Sequence, residues 1–153
     1  MKKNSILKGF FIAAIFCAVI FSACKQAPDP QKKIVVTGIP SQYNGNVGAP
    51  TLLSSSNGDI IALGAANISG GTVTADLFEY GNTSVPFTGS GTYIFALYII
   101  NSNNAVVWMG GVTKSITNET TTISFSELMP VSSVQQTPFS FKDVLQGILK
   151  QYE

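Results

Sequence analysis

Residues 92–100 read Thr-Tyr-Ile-Phe-Ala-Leu-Tyr-Ile-Ile, with no charge, glycine or proline among them. In an extended chain successive side chains point to opposite faces. Tyr93, Phe95, Leu97 and Ile99 therefore fill one face, and Ile94, Ala96, Tyr98 and Ile100 fill the other. A strand that is apolar on both sides belongs in the middle of a sheet, with a layer over each face. An isolated sheet with one wet face does not satisfy it. The rest of the chain has to supply neighbouring strands and two covers.

The neighbours are written in the same language. From Lys33 to Leu128, threonine, valine, isoleucine and aromatics come in short runs punctuated by glycine and asparagine. A first strand runs from Lys33 to Thr37 and is stopped by Gly38 and Pro40. A polar stretch with Tyr43-Asn44-Gly45 follows. Thr51–Ser55 and Asp59–Leu63 flank Asn57-Gly58, a dipeptide that predicts a hairpin with a type I′ turn. Thr72–Tyr80 reads as one strand with a wet face, because Val73, Ala75 and Leu77 alternate with Thr72, Thr74 and Asp76; Phe78 and Tyr80 break the pattern at its end. After a turn at Asn101–Asn104 come strands at Ala105–Met109 and Thr120–Leu128. The expectation is a mainly β domain over residues 33–128. It has about seven strands in an antiparallel sandwich or small barrel, immunoglobulin-like in architecture.

Residues 129–153 read as a linker and one amphipathic helix. Ser140 and Asp143 make a weak capping pattern. Phe141, Val144, Leu145, Ile148, Leu149 and Tyr152 then recur at helical spacing along one stripe. The stripe is expected to pack on the domain's own sheet. The alternatives are a partner protein or the membrane surface, although a membrane helix favours a basic polar face and here Lys142 and Lys150 are matched by Asp143 and Glu153.

The N-terminal end is an address. Lys2, Lys3 and Lys8 precede an apolar run of thirteen residues, Gly9–Phe21. That is short of the roughly 17–25 residues of a permanent transmembrane helix and suits a signal peptide. Cutting after Ala23 by an ordinary secretory peptidase would leave bulky Phe21 where a small residue belongs. Phe21-Ser22-Ala23-Cys24 instead reads as a lipobox, with residues 1–23 removed and Cys24 lipidated. Cys17 leaves with the leader, so the mature chain has no cysteine pair and its core alone must hold it together. Residues 24–32 form the lipidated cysteine and a proline-containing tether. The mature chain keeps six lysines against eight acids. Lys25 follows Cys24, so the aspartate that retains lipoproteins at the inner membrane is absent from that position, which favours the outer membrane of a bacterial envelope.

Taken in order, Val36-Thr37-Gly38-Ile39-Pro40, Tyr43-Asn44-Gly45, Pro86-Phe87-Thr88-Gly89-Ser90-Gly91-Thr92-Tyr93 and Thr122-Ile123-Ser124-Phe125 resemble a module of small spirochaete-type surface lipoproteins. The resemblance covers most of residues 33–128. It departs at Asn46-Val47-Gly48, where the family has a basic or aromatic strand start. It implies an envelope lipoprotein with an all-β domain and carries over no catalytic residue.

The chain has no histidine, and so no Ser-His-Asp or Cys-His arrangement and no imidazole ligand for a metal. Asp76 and Glu79, three apart on a strand, face opposite ways. Gly89-Ser90-Gly91 opens a strand and not a helix, so it is no phosphate cradle. No catalytic residue, metal ligand or cofactor site is assigned. Only 11% of residues are charged, without the basic footprint of a nucleic-acid binder. Tyr43 and Tyr80, each beside a glycine turn, are the candidates for stacking on a ligand, whereas Trp108 and Tyr98 read as core. The functional expectation is a non-enzymatic module, held to the membrane through its N-terminal lipid, that binds or assembles through its surface. Alternatives are a carbohydrate- or small-molecule-binding lipoprotein and an accessory subunit that docks through its C-terminal helix.

Overall fold

A computed structural model of the chain describes residues 29–131. The leader, Cys24 and the C-terminal stripe lie outside the described residues. The described chain is mainly β, with eleven strands: β1 Lys33–Thr37, β2 Val47–Ser54, β3 Ile60–Leu63, β4 Ala66–Asn67, β5 Val73–Asp76, β6 Phe78–Glu79, β7 Asn82–Pro86, β8 Gly91–Ile100, β9 Val106–Ile116, β10 Thr120–Ser124 and β11 Met129–Pro130. Its helical elements are two three-residue 3₁₀ turns, Ser41–Tyr43 and Phe125–Glu127. Eight strands form an antiparallel sheet in the order β11-β9-β8-β2-β3-β6-β7, with β4 also on β2; β10-β1-β5 form a second, smaller sheet. Neither sheet closes into a barrel.

The apolar run lands where its pattern requires. β8 lies between β9 and β2, and residues 95–100 are all buried. Phe95, Leu97 and Ile99 join Leu52 from β2 in one cluster with Ile34 and Val36 of β1, Val73 of β5 and Ile123 near the end of β10. The small sheet thus lies over one face of the large one. Ala96, Tyr98 and Ile100 point the other way, into a second cluster with Ala49, Leu53 and Leu63. Fully burying each large aliphatic or aromatic side chain stabilises by roughly 1.5–3 kcal/mol, so the cluster between the sheets dominates.

Several expectations need correction. The small sheet is mixed: β1 pairs in parallel with β10, Val36 opposite Ile123, and antiparallel with β5. A parallel pair cannot be joined by a hairpin; here most of the large sheet is the connection. The stretch Thr72–Tyr80 is two strands, not one. β5 pairs with β1 in the small sheet and β6 with β3 in the large one, and the chain changes sheet at Leu77, whose side chain is fully buried. The broken alternation at Phe78 and Tyr80 was the mark of that switch. β5 and β3 come so close at this corner that a Cβ on Gly64 would overlap the Asp76 carbonyl oxygen.

β2 begins at Val47, four residues before the predicted strand start, and runs through Pro50. Proline is tolerated because a residue's N and C=O point to the same side of a strand. The Pro50 carbonyl accepts from Gly64 N at 2.9 Å, so its missing N–H faces the gap between β3 and β4 and costs β8 no ladder bond. The β2–β3 hairpin is real, but its turn is not type I′. Gly58 has φ +74° while Asn57 has an ordinary negative φ. The loop is longer, closed by Ser54 N to Asp59 O at 2.8 Å and Gly58 N to Ser54 O at 2.9 Å. β9 extends to Ile116, seven residues past its expected end at Met109, which places Lys114 opposite Tyr93. β10 stops at Ser124, where a capping box starts the second 3₁₀ turn: Glu127 reaches back to the Ser124 N–H at 3.0 Å.

The fold also takes in the end of the expected tether. Gln31 Nε2 donates to Leu77 O at 2.9 Å. Lys32 is buried, its N–H bonded to Phe87 O and its Nζ to Thr117 O at 3.1 Å.

Candidate functional site

Two turns meet beside the inter-sheet core. Asn44 Oδ1 accepts from Gly71 N at 3.0 Å, Gly45 N donates to Ile68 O at 2.9 Å, and Ile68 N donates to Asn46 O at 2.8 Å. Gly45 and Gly71 supply the positive φ these turns need. The staple fixes Tyr43, half-buried, on the edge of the core with its ring 6.5 Å from that of Phe125. Phe125 in turn lies against Trp108, ring centroids 4.4 Å apart and tilted by 37°. Trp108 stands on β9 of the large sheet, and Phe125 opens the 3₁₀ turn as the chain leaves the small one. The row Tyr43–Phe125–Trp108 therefore bridges the two sheets. The indole folds back over Gly110, where any Cβ would run into it; only glycine leaves that space.

One polar tie flanks the row. Lys114 Nζ on β9 donates to Glu127 Oε2 at 2.6 Å, and both side chains are partly exposed. The hydrogen bond from Lys114, followed by that from the Ser124 N–H, holds the Glu127 carboxyl below its ordinary range.

The two tyrosines predicted as a platform are not brought together. Tyr80 sits in the β6–β7 turn beside Gly81, its N–H bonded to Ile61 O at 3.0 Å and its side chain 41% exposed. Between β9, which carries Trp108, and β6 lie four strand spacings, roughly 19 Å. Tyr43 instead joins two rings that the sequence assigned elsewhere. Trp108, expected in the core, is half-buried against it. Phe125, expected on a strand, opens the 3₁₀ turn and is the hinge of the row. The signal that could have found it was Ser124-x-x-Glu127, a capping-box spacing that ends the strand before Phe125. Tyr98, read as core, is 5% exposed, and burial pushes its hydroxyl pKa up. Cys24 lies outside the described residues.

Chemically the row offers half-covered aromatic faces with few charges nearby, a surface suited to apolar or sugar-ring contact. Among the described residues no three acidic or cysteine side chains gather as metal ligands would. Compared with protein-family models, with curated proteins and with solved structures, the chain finds no match in any of the three.

Proposed function

We propose that this chain is a lipid-anchored lipoprotein of the bacterial envelope, a non-catalytic module that binds or assembles through the surface of its β domain. The observation that carries the reading is Phe21-Ser22-Ala23-Cys24 at the end of a thirteen-residue apolar run. Residues 25–30 separate Cys24 from Gln31, among the described residues the first side chain bonded into the fold. Six extended residues reach about 20 Å, so the domain rides close to the headgroups. Several acyl chains at about 0.8 kcal/mol per buried methylene make release negligibly slow. The similarity to spirochaete-type lipoproteins points the same way, and Lys25 after Cys24 favours the outer membrane. In architecture we read the two facing sheets as an immunoglobulin-like sandwich. Metabolic labelling with a palmitate analogue tests the anchor: the protein should be marked and its Cys24→Ala variant unmarked. Equal labelling of the two, or none of either, overturns it.

The aromatic row supports a second reading, in which the domain binds carbohydrate or a small apolar ligand across Tyr43, Phe125 and Trp108. Binding on a glycan array that is lost in Trp108→Ala and kept in Tyr80→Ala would favour that site. Loss in Tyr80→Ala alone would move the site to the β6–β7 turn.

A further inference from the structure

The two sheets share their ends. Gly48 lies opposite Ile99 of β8, and a Cβ on it would meet the Val73 side chain of β5 at 3.0 Å. Val73 pairs with Val36 near the end of β1, and Ile99 pairs with Trp108. One end of the domain therefore holds the last residues of β1 and β8 and the first of β2, β5 and β9. The chain enters at the other end, where Lys32 Nζ is bonded to Thr117 O just past the end of β9. β1 alone, Lys33–Thr37, carries it about 13 Å away from that entry. Three loops gather at the far end: 38–46, 68–72 and 101–105. Val47 pairs with both Ile100 and Asn67, so Asn46 and Asn101 close neighbouring strands. The bonds from Gly71 N to Asn44 Oδ1 and from Ile68 N to Asn46 O fasten the first two loops together. The row Tyr43–Phe125–Trp108 borders them.

No residue of these loops is charged, and Gln42, Asn44, Asn46, Asn101, Asn103 and Asn104 are amides. Charges stand elsewhere: Lys33 pairs with Asp76 at 3.6 Å, and Lys114, beside the row, is already paired with Glu127. An anionic ligand is held through lysine or arginine and a cationic one through carboxylates. These loops supply neither, so a ligand here is uncharged. They supply ring faces and amides, and an amide can donate and accept. Asn44 Oδ1 is taken by Gly71 N, and Asn101 Oδ1 by Asn103 N and Ala105 N at 3.0 Å. Both amides are thereby fixed, and their Nδ2 donors have no partner among the described residues. A sugar ring presents the matching surfaces, an apolar C–H face and a rim of hydroxyls. We propose that the end of the domain away from the tether binds an uncharged glycan. Its C–H face lies on Tyr43, Phe125 and Trp108, and its hydroxyls accept from Asn44 and Asn101. This rests on the second reading above, in which the aromatic row binds a ligand, and adds the ligand's class and the groups that select it.

The test is calorimetric titration of the full chain in detergent micelles. The probes are neutral hexasaccharides of glucose, mannose and N-acetylglucosamine, and two acidic ones, hexagalacturonate and a heparin hexasaccharide. At least one neutral probe should bind, and the acidic ones should bind roughly tenfold more weakly or not at all, since no cation meets their charge. Trp108→Ala should abolish binding. Asn44→Asp and Asn101→Asp keep the oxygen that holds each turn and remove the Nδ2 donor. Each should weaken neutral binding about fivefold or more, the effect of one lost hydrogen bond, with an unchanged circular dichroism spectrum. Neutral binding lost in Trp108→Ala but changed less than about twofold in both Asp variants would overturn the proposal and leave the row as a ligand site. Acidic probes binding as well as neutral ones would do the same. If no hexasaccharide binds, the proposal falls; the apolar probe N-phenyl-1-naphthylamine, bound by the full chain and not by Trp108→Ala, would then show that the row reading survives it. Neutral binding lost in Tyr80→Ala and kept in Trp108→Ala would sink both.

Discussion

The two faces of β8 are built from the same alphabet and held in different ways. Phe95, Leu97 and Ile99 meet strands of the small sheet, joined to the large one by short turns and tied at the rim by Lys114 and Glu127. Ala96, Tyr98 and Ile100 pack with Ala49, Leu53 and Leu63 from neighbouring strands of the same sheet and are buried there. One face is sealed by a second sheet through many crossings of the chain; on the other, the described packing partners are side chains of the same large sheet and of the residues beside it. The difference teaches that equal apolarity on the two faces of a strand does not mean equal cost when a cover is disturbed.

Four measurements break or sharpen that contrast. The largest effect belongs to the inner face. Phe95→Ala should lower the free energy of unfolding in urea by about 3–5 kcal/mol, because the facing strands cannot collapse into the space. A loss under 1 kcal/mol would mean the inner face is not tightly packed. On the outer face, Leu53→Ala should cost about 2–4 kcal/mol in the same urea measurement; a loss under 1 kcal/mol would mean that this face is loosely packed. At the corner, Gly64→Ala should cost about 1–3 kcal/mol by forcing β3 away from the Asp76 carbonyl, with a lower melting temperature as the readout.

The smallest effect is at the rim. Because the folded pKa of Glu127 is depressed, its contribution is present above the unfolded carboxylate value and is lost as pH falls through the folded one. Lys114→Met should shift the Glu127 titration upward by NMR and flatten the acid side of the stability profile. An unmoved titration would mean the pair does not persist in solution.

How much of this could be read in advance varies with the kind of signal. The β character, the place of β8 and the burial of Tyr98 followed from periodicity, which responds to which sides of a strand are dry. The β2–β3 hairpin followed from Asn57-Gly58, but its turn type did not, since Ser54 and Asp59 close a longer loop. The first half of β2 was not legible, because Pro50 is tolerated only where the neighbouring ladder leaves a gap between β3 and β4. Of the candidate site, Tyr43 was legible from its turn. Its partners were not, because Phe125 and Trp108 are seventeen residues apart and meet only after β10 has crossed to the other sheet.

Local composition alone determined that this chain makes strands, that one of them lies at the centre, and that Cys24 follows closely on an apolar run. These depend on dihedral preference and on which residues avoid water, both properties of short segments. The switch of sheets at Leu77, the parallel pairing of β1 with β10 and the aromatic row across the rim were decided only by the tertiary structure. Each depends on residues far apart in sequence competing for the same space, and a linear pattern does not encode the outcome of that competition.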